Sequence, residues 1–163
     1  MDVIRSVALV FLGGAMAACG LVGPDDRWED RRRVLEENRM IWEQSGIDTY
    51  RFELTRACFC ALAGDFVVTV DDGVVVSAHP VMGDTLPAAE RQYLETVDDL
   101  FDRLERAIEE EVHEYRVEYH LQLGHPTVAY LDPIRNAIDD EIQLEARELV
   151  PVVSLQQGRR AAP

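Results

Sequence analysis

From Phe66 to Ala78 the chain reads Phe-Val-Val-Thr-Val, then Asp71-Asp72-Gly73, then Val-Val-Val-Ser-Ala. Two β-rich runs around Asp-Gly dictate a hairpin, because Asp-Gly accepts the positive φ that a tight turn between twisted strands requires. The rest of the chain supplies partners of the same kind. Tyr50, Phe52 and Leu54 alternate with Arg51, Glu53 and Thr55, a period of two that marks a strand with one buried face. Tyr115, Val117, Tyr119 and Leu121 repeat the pattern. Gly124-His125-Pro126 then turns the chain into Thr127–Leu131, and Ile142, Leu144 and Ala146 alternate in a final strand.

Two helices break this series. Over residues 25–44, Trp28, Leu35 and Trp42 recur every seven residues, flanked by Val34 and Ile41. Asp25 or Asp26 caps the start after Pro24, Gly46 ends it, and the Trp stripe reads as core. Over residues 96–111, Val97, Leu100, Phe101, Leu104 and Ile108 make one apolar face, and Thr96 with Asp99 has the spacing of a capping box. Glu109 to Glu111 oppose the helix dipole at its end, so tertiary packing must hold that terminus. Residues 79–94, with Pro80, Gly83 and Pro87, read as a loop. The expectation is an α+β fold, helices packed on one face of an antiparallel sheet, in the order α-β-β-β-α-β-β-β. One domain spans residues 25–150, followed by a polar tail, 151–163.

The N-terminus specifies an address. Arg5 precedes a short apolar run, Val7–Leu12, and then Gly13-Gly14-Ala15-Met16-Ala17-Ala18-Cys19-Gly20. The run is far shorter than the roughly 18 apolar residues that span a bilayer, so residues 1–18 read as a cleaved export signal. Small residues directly before a cysteine mark Cys19 as a lipidated N-terminus, with residues 19–24 as anchor and spacer. A plain secretory signal cut after Ala18 and a buried N-terminal helix are the competing readings. Several acyl chains on one cysteine exceed what stable anchoring needs, so the membrane is reached through the lipid. Gly20, where an Asp would favour retention at the inner membrane, favours the outer membrane.

Charge narrows the partners. The formal net charge is −15, and all 16 basic residues are Arg. Nucleic-acid binding needs clustered cations and is excluded as an expectation. Electrostatic docking on anionic lipid is disfavoured for the same reason. An envelope protein or ligand of unspecified identity remains as the partner.

Two segments carry candidate chemistry. Cys58-Phe59-Cys60 places two thiols on the same side of an extended strand, about 6.6 Å apart from the strand rise, and by parity on the buried face. They read as a structural disulfide, as an exposed redox pair, as metal thiolates joined by His79, His120 or His125, or as unpaired core cysteines. The second segment, residues 132–141, holds Asp132, Asn136, Asp139, Asp140 and Glu141, oxygen ligands suited to calcium though not in EF-hand spacing. A solvated loop in which Asp132 and Asn136 cap turns is the competing reading. His113 and His120 have opposite strand parity and form no zinc motif. No G-x-S-x-G, P-loop or dinucleotide fingerprint occurs, so the expectation is a non-enzymatic binding or structural module without a cofactor; a calcium-binding module, or a thiol–disulfide redox protein using Cys58 and Cys60, is the alternative.

Trp42, Gly46-Ile47-Asp48-Thr49-Tyr50, Cys58-Phe59-Cys60, Val70-Asp71-Asp72-Gly73, Thr96-Val97-Asp98-Asp99-Leu100-Phe101, Gly124-His125-Pro126, Asp132-Pro133 and Asn136-Ala137-Ile138-Asp139-Asp140-Glu141 occur in that order. Together they resemble a bacterial family of small secreted proteins and lipoproteins known only as a domain of unknown function. The likeness covers roughly residues 28–150 and departs from the pattern at Tyr119-His120, where a Tyr-Asp pair is expected. The resemblance implies an envelope lipoprotein with a single domain, and it implies no activity.

Overall fold

The computed structural model describes residues 24–152. The segments read from the sequence as a leader, a lipidated Cys19 and a spacer, up to residue 23, and the tail from residue 153 lie outside the described residues. The elements run α1 (Pro24–Ser45), β1 (Tyr50–Cys58), β2 (Gly64–Asp71), β3 (Val74–Pro80), α2 (Ala88–Arg91), α3 (Val97–Glu109), β4 (Glu114–Tyr119), β5 (Pro126–Asp132) and β6 (Ile142–Pro151). Their six strands form one antiparallel sheet in the order β3-β2-β1-β6-β5-β4. The fold is α+β, as the alternation implied. The last strand lies beside the first, so β1 and β6 join two three-stranded halves. Among the described residues no helix is long and apolar enough to cross a membrane.

The hairpin turn has both Asp72 (φ 50°) and Gly73 (φ 72°) in the left-handed region, with Asp71 paired to Val74. The inward faces of the strands, including Tyr50, Phe52, Leu54, Val68, Val70, Leu131 and Leu144, make the core with Leu35 and Trp42 of α1 and the apolar stripe of α3. Each such side chain contributes on the order of 1.5–3 kcal/mol by leaving water. The capping box at α3 is formed. Thr96 Oγ1 accepts from Asp99 N at 3.1 Å, and Thr96 N donates to Asp99 Oδ2 at 2.9 Å. Tyr50 Oη accepts from Val97 N (2.9 Å), and Trp42 Nε1 donates to Asp98 Oδ1 (3.0 Å), so the start of α3 is tied to β1 and α1. At the acidic end of α3, buried Ile108 and Val112 hold the terminus against the unfavourable dipole.

Several boundaries differ from the sequence pattern. Residues 79–94 are not all loop, because β3 continues to Pro80 and Ala88–Arg91 make one helical turn. Leu121 does not continue the buried face of β4. The strand stops at Tyr119, residues 120–124 turn with Gly124 N donating to His120 O (2.8 Å), and Leu121 is 97% exposed. Strand β6 runs on to Pro151, and Val152 N donates to Thr49 O (2.9 Å). A bulge makes this extension possible. Glu148 takes φ 50°, and the register against β1 shifts between Arg51 and Glu53.

Candidate functional site

The buried phase of β1 continues past Leu54 to Arg56, which is buried, and then weakens at Cys58, the last strand residue, which is half-buried. From Phe59 the chain turns, with Leu62 at φ 61°. Cys58 and Cys60 form a disulfide, with Cα atoms 5.3 Å apart. Parity on an extended strand predicted an inward-facing pair about 6.6 Å apart. Because the strand ends at Cys58, the turn shortens the span and leaves Cys60 exposed instead. Phe59, between the two cysteines, is 85% exposed.

The segment at 132–141 reaches this same end of the sheet. Strand β6 begins at Ile142, which pairs with Cys58 on one side and Leu131 on the other, so the loop entering β6 lies beside the bridge. Asp140 Oδ2 accepts from Ile134 N (3.0 Å), Ala137 N donates to Ile134 O (3.0 Å), and Asn136 and Asp139 take φ 66° and 65°. This tight path turns Ile134 and Ile138 outward, the latter 86% exposed. Asp140 thus serves the loop backbone. Asp139, Asp140 and Glu141 line one hollow that Asp132 and Asn136 do not, and among the described residues no group of three or more His, Cys, Asp or Glu side chains is placed to hold a metal ion. The histidines considered for the thiol pair are engaged elsewhere. His79 bridges Ser77 Oγ (3.0 Å) and Thr85 Oγ1 (2.8 Å), and His120 stacks on His125.

Two hollows flank the bridge. One, of about 280 Å³, lies on the helix side and is lined by Cys58, Phe59, Cys60, Arg103, Arg106, Glu110 and the Asp139–Glu141 run, among others. The other, about 480 Å³, lies on the uncovered face between Phe59, Tyr130, Gln143, Asp139 and Glu141. A larger hollow, about 580 Å³, follows edge strand β4 against α1. Its wall is packing already formed, with Arg31 held over Trp28 and Tyr115, and it touches none of the chemistry-bearing segments. The site is therefore placed at the bridge.

Beneath the bridge is a charge network that the sequence reading missed. Glu95 is buried, with Oε2 3.2 Å from Arg56 Nε and Oε1 2.6 Å from Arg103 Nη2. Arg56 Nη1 also donates to Tyr93 O (3.3 Å). A buried charge persists only when paired, and here each sign has its partner. The signal was present in β1, where an arginine occupies the inward phase set by Tyr50, Phe52 and Leu54.

Residues 34–151 match the model of a family described as Family of unknown function (DUF6174). The chain belongs to this family. No curated protein and no solved structure matches it significantly. The DUF6174 match takes in all six strands and the residues that line both hollows beside the bridge, and among the described residues leaves the first turns of α1 and Val152 outside.

At the opposite end of the DUF6174 sheet, where β1 begins, side chains close over one another. Trp42 meets Tyr50 edge to face (5.4 Å) and His125 likewise (6.0 Å). His125 is buried, donates from Nδ1 to Pro126 O (3.1 Å), and has its pKa lowered by burial. Gly124, at φ 73°, lies against α1 so closely that a Cβ would collide with Asn38 O and the Ile41 side chain. These histidines are packing elements.

Proposed function

We propose that the chain is a cell-envelope lipoprotein, tethered through lipidated Cys19 with the outer membrane as its home, whose domain binds another envelope component rather than turning over a substrate. The observation that carries this reading is the convergence of the Cys58–Cys60 bridge and residues 139–141 on two open hollows, with Phe59 between them and Ile134 and Ile138 of the same loop exposed. Large apolar side chains held in the open on two segments that meet beside charged residues are the chemistry of a recognition surface. Such a bridge is typical of an oxidising compartment, in keeping with an export leader that ends just before Cys19.

Two measurements test the reading. Cys19→Ala should abolish palmitate labelling and move the protein from the membrane to the soluble fraction; unchanged fractionation would remove the anchor. A photoreactive residue at Phe59 or Ile138 should crosslink in living cells to a discrete envelope component. The same residue at Leu121, equally exposed but at the far end of the β4–β5 hairpin, should not. Equal crosslinking from all three positions would end the binding reading.

A further inference from the structure

We infer that the Cys58–Cys60 bridge exchanges with a dithiol carried on a positively charged polypeptide segment, with Cys60 as the sulfur attacked. The inference deepens the binding reading of the same cleft and rests on it for the docking of the partner.

Exchange begins with access. Cys58 is pinned by strand pairing to Ile142 and is half-buried, whereas Cys60 stands on the turn beyond the strand and is exposed. Hollows on both sides of Phe59 leave room for a partner chain to lie against the bridge. Charge then selects among thiols. On the helix side Glu110, Asp139, Asp140 and Glu141 outnumber Arg103 and Arg106, and on the other side Asp139 and Glu141 face no cation in the lining. With a chain charge of −15 behind them, these carboxylates repel an anionic thiol such as glutathione and draw in a cationic one.

The step balances. A partner thiolate bonds to Cys60 Sγ, the Cys58–Cys60 bond breaks, and Cys58 leaves as a thiolate that takes a proton from water. Arg106 lines the same hollow as Cys58, whereas Arg103 there is held by Glu95. The partner's second thiol then attacks its own sulfur in the mixed disulfide and releases Cys60. The partner is oxidised by two electrons, and the Cys58–Cys60 pair is reduced by two.

The test uses the full chain carrying Cys19→Ser, folded and oxidised, so that Cys58 and Cys60 supply every thiol. Reduction is followed by alkylation and mass measurement with three probes: cysteamine (cationic), mercaptoethanol (neutral) and mercaptoethanesulfonate (anionic). Each rate is normalised to that thiol's rate on a neutral reference disulfide. The expected result is an adduct on Cys60 and a cysteamine rate about tenfold above the sulfonate rate. That ratio should shrink in high salt and in Asp139→Asn with Glu141→Gln, which leaves the Asp140 loop contact in place. A bridge that yields only after unfolding, a charge-blind rate, or an adduct on Cys58 would overturn the inference. If the bridge is inert while crosslinks from Phe59 and Ile138 persist, exchange falls and the binding reading stands.

Discussion

Where β1 begins, Trp42, Tyr50 and His125 meet edge to face and Gly124 presses on α1; where β1 finishes, Phe59 stands in solvent between two open hollows and Ile138, on the loop that enters β6, is exposed as well. The same strands run between these ends, so the contrast is not one of secondary structure. It comes from what the connections do. At the first end Gly124, His125 and Pro126 are drawn inward against α1, and of that turn only its tip, Leu121 and Gln122, stays exposed. At the second, a disulfide turn and a self-capped loop hold large apolar side chains away from the core. Fixing such groups outward stabilises nothing in the fold itself, and it is this that points to a use outside the fold.

The contrast can be broken by substitution. Trp42→Ala should have the largest effect, about 4 kcal/mol in denaturant unfolding, because it empties a packed site and leaves Asp98 without its donor. A loss below about 1 kcal/mol would mean that this end is not closed. Glu95→Ala should follow at about 3 kcal/mol, since Arg56 would stay buried without an anion. It should also speed proteolysis at the bridge end, and a neutral outcome would show that the exposed turn does not depend on the network beneath it.

A smaller effect is expected from acid. Burial lowers the His125 pKa, so the unfolded chain takes up its proton first, near the ordinary imidazole value of about 6.5. The stabilisation from neutral His125 is complete above that value. It is lost as pH falls from there through the lowered folded-state value, after which the loss is constant. The melting temperature of the wild type should therefore fall more steeply over this window than that of His125→Gln; parallel curves would refute the assignment. Smallest of all, Phe59→Ala should change stability by less than about 0.5 kcal/mol while reducing crosslinking from Ile138. Destabilisation comparable to that of Trp42→Ala would make Phe59 a core residue and remove the contrast.

Much of this was legible in residue order. Alternation at Tyr50–Leu54, the Asp72-Gly73 turn and the Thr96–Asp99 box each rest on local geometry, and each took the expected form. The Cys58–Cys60 orientation was misjudged because parity holds only while a strand lasts, and β1 stops at Cys58. Leu121 failed for the same reason at the end of β4. Glu95 was missed because a carboxylate in a helix-entry segment carries no mark of burial; its partner Arg56 did carry one, by phase.

The sequence by itself determined the class of fold, the strands and helices that build it, and which faces of them are apolar, because these follow from periodicity and turn chemistry over a few residues. The tertiary structure alone decided that β6 inserts beside β1, and with it that residues 132–141 arrive next to the Cys58–Cys60 bridge. Strand order depends on contacts between segments more than 80 residues apart, Cys58 with Ile142 among them, and no local pattern encodes which edge a distant strand will pair with.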